Sequence, residues 1–522
     1  MKHLLGFLAP VFILALSCQK KDVNTPTDFQ LDKTIITFNN CSAKDSFTIK
    51  SAGNWTITIA PSNAAWLHLS KLSGNGTDKV LVTSIEDNQA NTPRTATLTI
   101  QSSNTSIQPV NISVTQIPSI SWIKLYGGSA FDFAQTMVAT TDGGFLLAGQ
   151  TESSDGDAIG NHGFIDAFLL KIDANGNKIW SKAFGGSDID AAYSLITTPD
   201  GGIVMAGIAY SNNGDVNGNH GTQDFWVLKL DANGNKIWSK LYGGLLNEFL
   251  PTVIATSDGG FLIAGSTDSN DGDVSGNHGD FDAWLLKIDA DGNKLWSKTF
   301  GGSGTDYANR MIPTNDGGFV IVGETTSNDG DVIGNHGGND AWAFKVDANG
   351  NKVWSKTFGG SGIDQLVSII STPDGSYVIA GNSTSNNADL NSNHGDKDSW
   401  ILKLSANGDK IWSKAYGGSG WDEATSLVTT SNGELLVAGY TYSSDGDVSN
   451  NHGKGDAWIL KLDGNGNKLC SKVFGGSDYD YTSSILTTAD GGFVITGETR
   501  STEGILTGNH GVSDVWVFKG NF

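Results

Sequence analysis

Tryptophan recurs in this chain at a fixed interval. Trp122, Trp180, Trp238, Trp296, Trp354 and Trp412 each open a W-x-K stretch, Cys470 takes the seventh place, and every step is 58 residues. A constant period of this length marks a repeat architecture, in which one unit cannot cover its own apolar faces and must stack on its neighbours. One unit carries four strand signals, "ANRMIPT", "GGFVIVGET", "DAWAFKVD" and "KVWSKTF", with an Asp-Gly-Gly turn after the first and "DANGN" before the last. Four antiparallel strands make one propeller blade. The ends of the array distinguish a ring from an open stack. The last copy stops at "DVWVFKGNF" without a fourth strand, and a spare one, "SWIKLYGG", precedes the first copy. Joining the two completes the seventh blade and removes the exposed edges of an open array. Residues 118–522 are therefore expected to form a seven-bladed β-propeller of 58-residue repeats closed by its N-terminal strand.

Composition agrees with an all-β chain. Among 522 residues, 38% are hydrophobic and 17% charged, enough to bury a core, and 68 glycines against 10 prolines suit many tight turns. A formal charge of -22 argues against wrapping nucleic acid or lying on an anionic membrane, both of which reward excess Lys and Arg. The opening "MKHLLGFLAPVFILALSC" is too short and too early for a spanning helix and reads as a secretory signal. It resembles a bacterial lipoprotein signal, which implies that residues 1–18 end on a lipidated Cys18 and that residues 19–27 form a polar tether. Cys41 and Cys470 fall in different modules, so no disulfide framework is expected, and Cys470 reads as a small core residue in a tryptophan column.

Between 28 and 117, short β-type runs alternate with turn signals at about ten-residue spacing, as a small sandwich requires. The stretches "GNWTITI", "AAWLHLSKLSGNG", "NTPRTATLTI" and "VNISVTQ" resemble the BACON domain, an immunoglobulin-like module of bacterial surface proteins. That resemblance implies carbohydrate or mucin binding, while Trp55 and Trp66 are expected to be core. The "DAWLxKLDxNGNxxW" units resemble propeller repeats of bacterial secreted lipoproteins and, in look, quinoprotein-type blades; this implies fold more than activity.

Strand order sorts the loops. The Asp-Gly-Gly and "DANGN" turns fall on one face; the blade-linking "GGSGTDYA" loops and the long "DGDVxGNHG" loops fall on the other, which carries most polar groups and is the expected ligand face. Each long loop holds one histidine (His162, His220, His278, His336, His394, His452, His510), and an aspartate opens each third strand (Asp166, Asp224, Asp282, Asp340, Asp398, Asp456, Asp514). Sevenfold repetition is the opposite of an active site, where unlike groups converge once. Two readings remain: a turn held by side-chain to backbone hydrogen bonds, or a calcium ion on Asp271, Asp273 and Asp282 and their counterparts. Asn213, Asn387, Glu503 and Ile505 break the acidic pattern. "DANGN" fits a hairpin turn rather than a calcium loop. The acidic column Asp132, Asp190, Glu248, Asp306, Asp364, Asp422 and Asp480 is expected to cap backbone N–H groups between blades, with a cation-attracting ring at the channel mouth as the alternative.

Specific recognition should reside where the symmetry breaks. Arg310 replaces the Ser or Thr of its column and is expected to pair with an acid such as Asp306, or else to meet a ligand. "LLNEFLP", Leu245 to Pro251, makes an apolar bump. Trp421, Tyr479, Tyr481, Phe131 and Phe133 flank the acidic column in blades that adjoin once the ring closes, and aromatic faces beside carboxylates suit a sugar. Alternation along the strand predicts that about half of these rings pack between blades. The expected function is a non-enzymatic, lipid-anchored outer-membrane protein, monomeric, that binds glycan or glycoprotein and has no cofactor unless calcium. A protein-interaction scaffold and a propeller enzyme acting on polysaccharide are the alternatives, although no sialidase-type Asp box or nucleophile motif is seen.

Overall fold

The computed structural model describes residues 29–38, 44–85, 88, 92–390, 393–449 and 451–522. The signal, the tether, Cys18 and Cys41 lie outside the described residues. Two compact units divide the chain, the first within 1–116 and the second essentially 117–522.

The first unit is a β-sandwich. Strands β1 (Phe29–Leu31), β3 (Lys44–Ser51), β7 (Asp78–Ser84) and β5 (Leu67–Leu69) form one sheet in the order β1-β3-β7-β5. The other sheet runs β2 (Ile35–Phe38), β9 (Val110–Gln116), β8 (Arg94–Ser102), β4 (Asn54–Ala60), β6 (Ser73–Asn75). Alternate residues of each strand turn inward, so Phe38, Phe47, Val82, Leu98 and Ile112 interlock. Trp55 and Trp66 belong to this core, as their sequence context suggested. The Trp55 indole N–H donates to the Gly76 carbonyl at 3.1 Å, and Arg94 lies 4.9 Å over the Trp66 ring.

Among the described residues the second unit forms seven four-stranded antiparallel sheets. Six are consecutive in sequence; the first runs β11 (Asp132–Ala139), β12 (Phe145–Thr151), β13 (Asp166–Ile172), β14 (Lys178–Phe184). The seventh is β35 (Asp480–Thr487), β36 (Phe493–Thr499), β37 (Asp514–Gly520) and then β10 (Ile120–Tyr126) from the start of the unit. Ile123 lies opposite Phe518 and Leu125 opposite Trp516, so the spare strand completes the last blade as expected. Second and third strands are apolar on both faces because each sheet is covered by a neighbour on either side. Every seam is tied by one short parallel bridge, from Ile165 with Ile189 round to Phe131 with Ser513, which joins the last blade to the first.

The acidic column sits in these seams. Asp132 is fully buried and accepts from Thr151 Oγ1 at 2.5 Å, Ser153 Oγ at 2.7 Å and the Gly128 N–H at 2.7 Å. Asp190, Asp306, Asp364, Asp422 and Asp480 likewise accept a loop N–H, from Gly186, Gly302, Gly360, Gly418 and Gly476. They cap the blade-linking loops, as expected. The alternative of a carboxylate ring at the channel mouth is overturned: these side chains point into the protein and are fully buried.

The inner strand of each blade carries a β-bulge, for example between Ala134 and Thr136 in the first blade and between Ala424 and Ser426 in the sixth. A bulge re-aims one side chain and twists the strand locally. Here the bulged positions, Gln135, Tyr193, Asn309, Val367, Thr425 and Ser483, all line the channel. The second strand makes room with a glycine. A Cβ on Gly439 would lie 1.7 Å from the Glu423 carbonyl oxygen, and one on Gly149 1.9 Å from that of Phe133.

Cys470 departs from expectation. It is disulfide-bonded rather than a free core thiol.

Candidate functional site

Strand direction sends the blade-linking loops and the long loops to one face, where they interlock: the Ser129 N–H donates to Asp155 Oδ1 at 2.7 Å, and the same contact recurs as Ser303 to Asp329 and Ser419 to Asp445. Each histidine closes its own loop. In His162 both the backbone N–H and the ring Nδ1 lie 2.8 Å from Asp166 Oδ2, and the arrangement repeats in all seven copies through His510 and Asp514. Asn161 Nδ2 reaches back to the Thr151 carbonyl while its Oδ1 accepts the Gly163 N–H. The loop is thus a turn held by its own side chains.

The calcium reading is corrected on the same grounds. Asp271 Oδ1 accepts the Leu245 N–H, Asp273 pairs with Lys294 at 2.5 Å and Asp282 holds His278, so the three carboxylates serve three separate partners. Among the described residues no group of three or more acidic, His or Cys side chains converges as a metal site. In "DANGN", Asp173 Oδ1 accepts the Asn175 and Asn177 N–H groups, the hairpin turn that was expected.

The same face opens onto a cavity of about 490 Å³ at the channel mouth. Side chains that differ from blade to blade line it, among them Phe133, Arg310, Glu324, Asn382, Glu423, Tyr440 and Tyr481. Of the five predicted aromatic residues, Tyr481 and Phe133 face the cavity, while Trp421, Tyr479 and Phe131 stand on its rim just before the inner strands. None is buried; the expectation that about half would pack between blades is not met, because Asp132, Asp422 and Asp480 take the inward place between them.

Around the rim these rings join others into one ridge. Trp421 is 47% exposed; its indole N–H donates to Glu423 Oε1 at 2.5 Å, and Lys397, which pairs with Glu423 at 2.7 Å, lies 4.9 Å over its ring. Tyr440 donates to Glu423 Oε2 at 2.6 Å and meets Tyr481 edge-on at 4.7 Å. Tyr442 and Tyr481 share a hydroxyl contact of 2.8 Å, and Tyr479 stacks on Tyr481 at 5.7 Å. Arg500 ends the ridge, held by Glu498 at 2.9 Å and lying 4.9 Å from the Phe131 ring and 5.7 Å from Tyr479. Burial, and for Tyr440 also the Glu423 carboxylate, pushes the Tyr440 and Tyr481 hydroxyls above their usual range, so both remain protonated donors.

A second aromatic group stands on the blade three and four side of the mouth. Phe249, Phe281 and Tyr307 contact one another at 5.5 and 5.6 Å. Beside them the predicted bump exposes Leu245 and Leu246, and Leu250 enters the cavity wall with φ of 55°, a conformation that costs a non-glycine residue energy.

Sequence reasoning missed Glu423, Tyr440, Tyr442, Arg500 and the Phe249 group. A signal was present. The residue after the invariant second-strand glycine reads Gln150, Ile208, Ser266, Glu324, Asn382, Tyr440, Glu498, six residue types over seven copies of an otherwise uniform repeat.

Known proteins resemble parts of this chain. Residues 54–116 match the BACON family, described as "Putative binding domain, N-terminal", and this segment is a BACON domain. A regulatory protein of Caulobacter vibrioides, FlaEY, is 26% identical over 311 residues, covering 53% of this chain and 32% of its own length. The chain thus spans about a third of that relative. Among solved structures, a Bacteroides ovatus GH5 xyloglucanase in complex with a XXXG heptasaccharide matches 22% of each chain at 22% identity and a TM-score of 0.16. The WD40 β-propeller domain of Doa1 matches 76% of this chain and 95% of its own at 10% identity and 0.41. An α-L-arabinofuranosidase of Fusarium graminearum matches 62% of this chain and 91% of its own at 11% identity and 0.39. Nothing about function follows from likenesses this low.

Proposed function

We propose that this protein is a non-enzymatic glycan-binding component of the bacterial outer membrane, anchored through Cys18, and that the channel mouth of its propeller holds the sugar. One observation carries the reading: the ridge from Trp421 through Tyr442 and Tyr479 to Phe131 alternates ring faces with the carboxylate of Glu423 and the guanidinium of Arg500. Sugar C–H faces stack on rings while the hydroxyls need charged or neutral hydrogen-bond partners, and this ridge offers both within one span. The BACON match lends independent support to a binding role. Trp421, Tyr479, Tyr481, Phe131 and Phe133 are the proposed contacts. The exposed Leu245 and Leu246 favour a second reading, an interaction scaffold that captures an envelope protein or glycoprotein.

A glycan array probed with the chain from Asp28 onward tests the first reading. Binding is expected, and Trp421→Ala is expected to weaken it at least tenfold, about 1.4 kcal/mol, without lowering the melting temperature, since the side chain is half exposed. Silence on all glycans, or unchanged affinity in Trp421→Ala, would count against it.

A further inference from the structure

We propose that the channel cavity reads a negatively charged group on the bound glycan, a carboxylate or a sulfate ester, through Arg310; this rests on the glycan reading above. Arg310 lies on β23 (Asp306–Pro313), the inner strand of the fourth blade, and lines the cavity. Its expected partner is occupied elsewhere. Asp306 is fully buried in the seam, where it accepts from Thr325, Ser327 and the Gly302 N–H. Arg310 has no hydrogen bond or ion pair among the described residues, although a guanidinium carries five donors. Surrounding protein lowers its pKa, which marks a cation that has lost hydration without gaining a counter-charge.

The acids around the cavity do not supply that charge. Glu423 is held by Lys397, Trp421 and Tyr440, and Glu498 by Arg500. Glu324 takes Asn339 at 2.6 Å, and burial raises its pKa, which weakens it as an anion. Lysine and arginine elsewhere on the mouth are thus matched by carboxylates, and Arg310 is the cation left over in the cavity wall.

Its column shows what the fold gives up for it. In three other blades the equivalent hydroxyl serves the next blade: Ser194 Oγ accepts the Val253 N–H at 3.0 Å, Ser368 the Leu427 N–H at 3.1 Å and Ser426 the Ile485 N–H at 3.3 Å. A guanidinium has no acceptor, so the fourth blade forgoes this link to the fifth. Planar, permanently charged donors match carboxylate and sulfate oxygens in pairs. Asn309 and Asn382, also on the wall, are spoken for by the Leu366 and Ala424 carbonyls, which leaves Arg310 as the determinant of charge.

Matched polymers test this at fixed ionic strength: polygalacturonate against its methyl ester, and dextran sulfate against dextran, by affinity electrophoresis of the full mature chain. The expected result is retention by at least one charged member and at least tenfold weaker retention by its neutral twin; the member retained tells carboxylate from sulfate. Arg310→Ser, which restores the residue type of the other blades and so is expected to fold, should erase the difference, and Arg310→Lys should keep part of it. Neutral glycan binding that depends on Trp421 but is indifferent to Arg310→Ser would overturn this inference and spare the glycan reading. Failure to retain any polymer, with an empty glycan array, would overturn both.

Discussion

Asp132→Ala is expected to lower the unfolding free energy of the chain by about 3 kcal/mol, because it strips the acceptor from several buried donors at once. Asp132 receives Thr151, Ser153 and the Gly128 N–H in the seam between the first and last blades, and none of these has water as a substitute there. Since the same backbone segment also bridges to Ser513, loss of the loop cap loosens the closure of the ring itself. Urea unfolding gives the readout, with the midpoint falling in Asp132→Ala and staying within error in Asp188→Ala, an acid on the exposed part of an equivalent loop. Equal shifts in the two variants would mean that the seam acids do not cap.

Stability should also fall as pH rises from about 5 to 8. Burial is the first cause that raises the carboxyls of Asp132, Asp166, Asp190, Asp306 and Asp514, and it lifts Asp480 to about 6 and Glu248 to about 7. A carboxyl that is raised in the folded state binds its proton more tightly there than in the unfolded chain. Its contribution is therefore complete below the unfolded value and is lost as pH climbs through the folded one. The turn acids Asp142, Asp258, Asp316 and Asp490 act in the opposite sense. Their lysine or threonine partners hold them at about 2, so their contribution is present above the unfolded value and lost toward that pH. A stability maximum near pH 4 to 5 follows. Glu248→Gln cannot ionise and is expected to remove the largest single part of the decline, at most about 3 kcal/mol between pH 5 and 8. Melting temperatures across that range check it: the variant should gain on the parent as pH rises, and parallel curves would refute the assignment.

Much of the frame was legible because it repeats. The fixed period, the spare strand at Ile120 and the missing fourth strand after Asp514 define closure by counting alone, and Ile123 does lie opposite Phe518. The recurring His and Asp of the long loop were readable as turn chemistry for the same reason. The mouth was legible only in part. Trp421, Tyr479 and Phe131 immediately precede the seam aspartates, so alternation around an invariant acid places them on the rim. Tyr440 lies on the second strand and Tyr442 and Arg500 directly follow it; that strand reads as uniformly buried until the bulge on the first strand and the glycine beside it open that edge toward the channel. Arg310 is visible as an exception to its column, but its nearest acid in sequence, Asp306, is buried in the seam on Thr325 and Ser327. The disulfide at Cys470 carried no sequence signal beyond the loss of a tryptophan.

Hydroxyl-radical footprinting of the chain from Asp28 onward, with and without a retained glycan, addresses the central claim most directly. Trp421, Tyr442 and Tyr479 are expected to lose reactivity on binding, while Ile179, Ile237 and Leu295 on the outer strands, which are more exposed, keep theirs. Protection confined to the outer strands or to the sandwich, with the ridge unchanged, would contradict the channel mouth as the binding site.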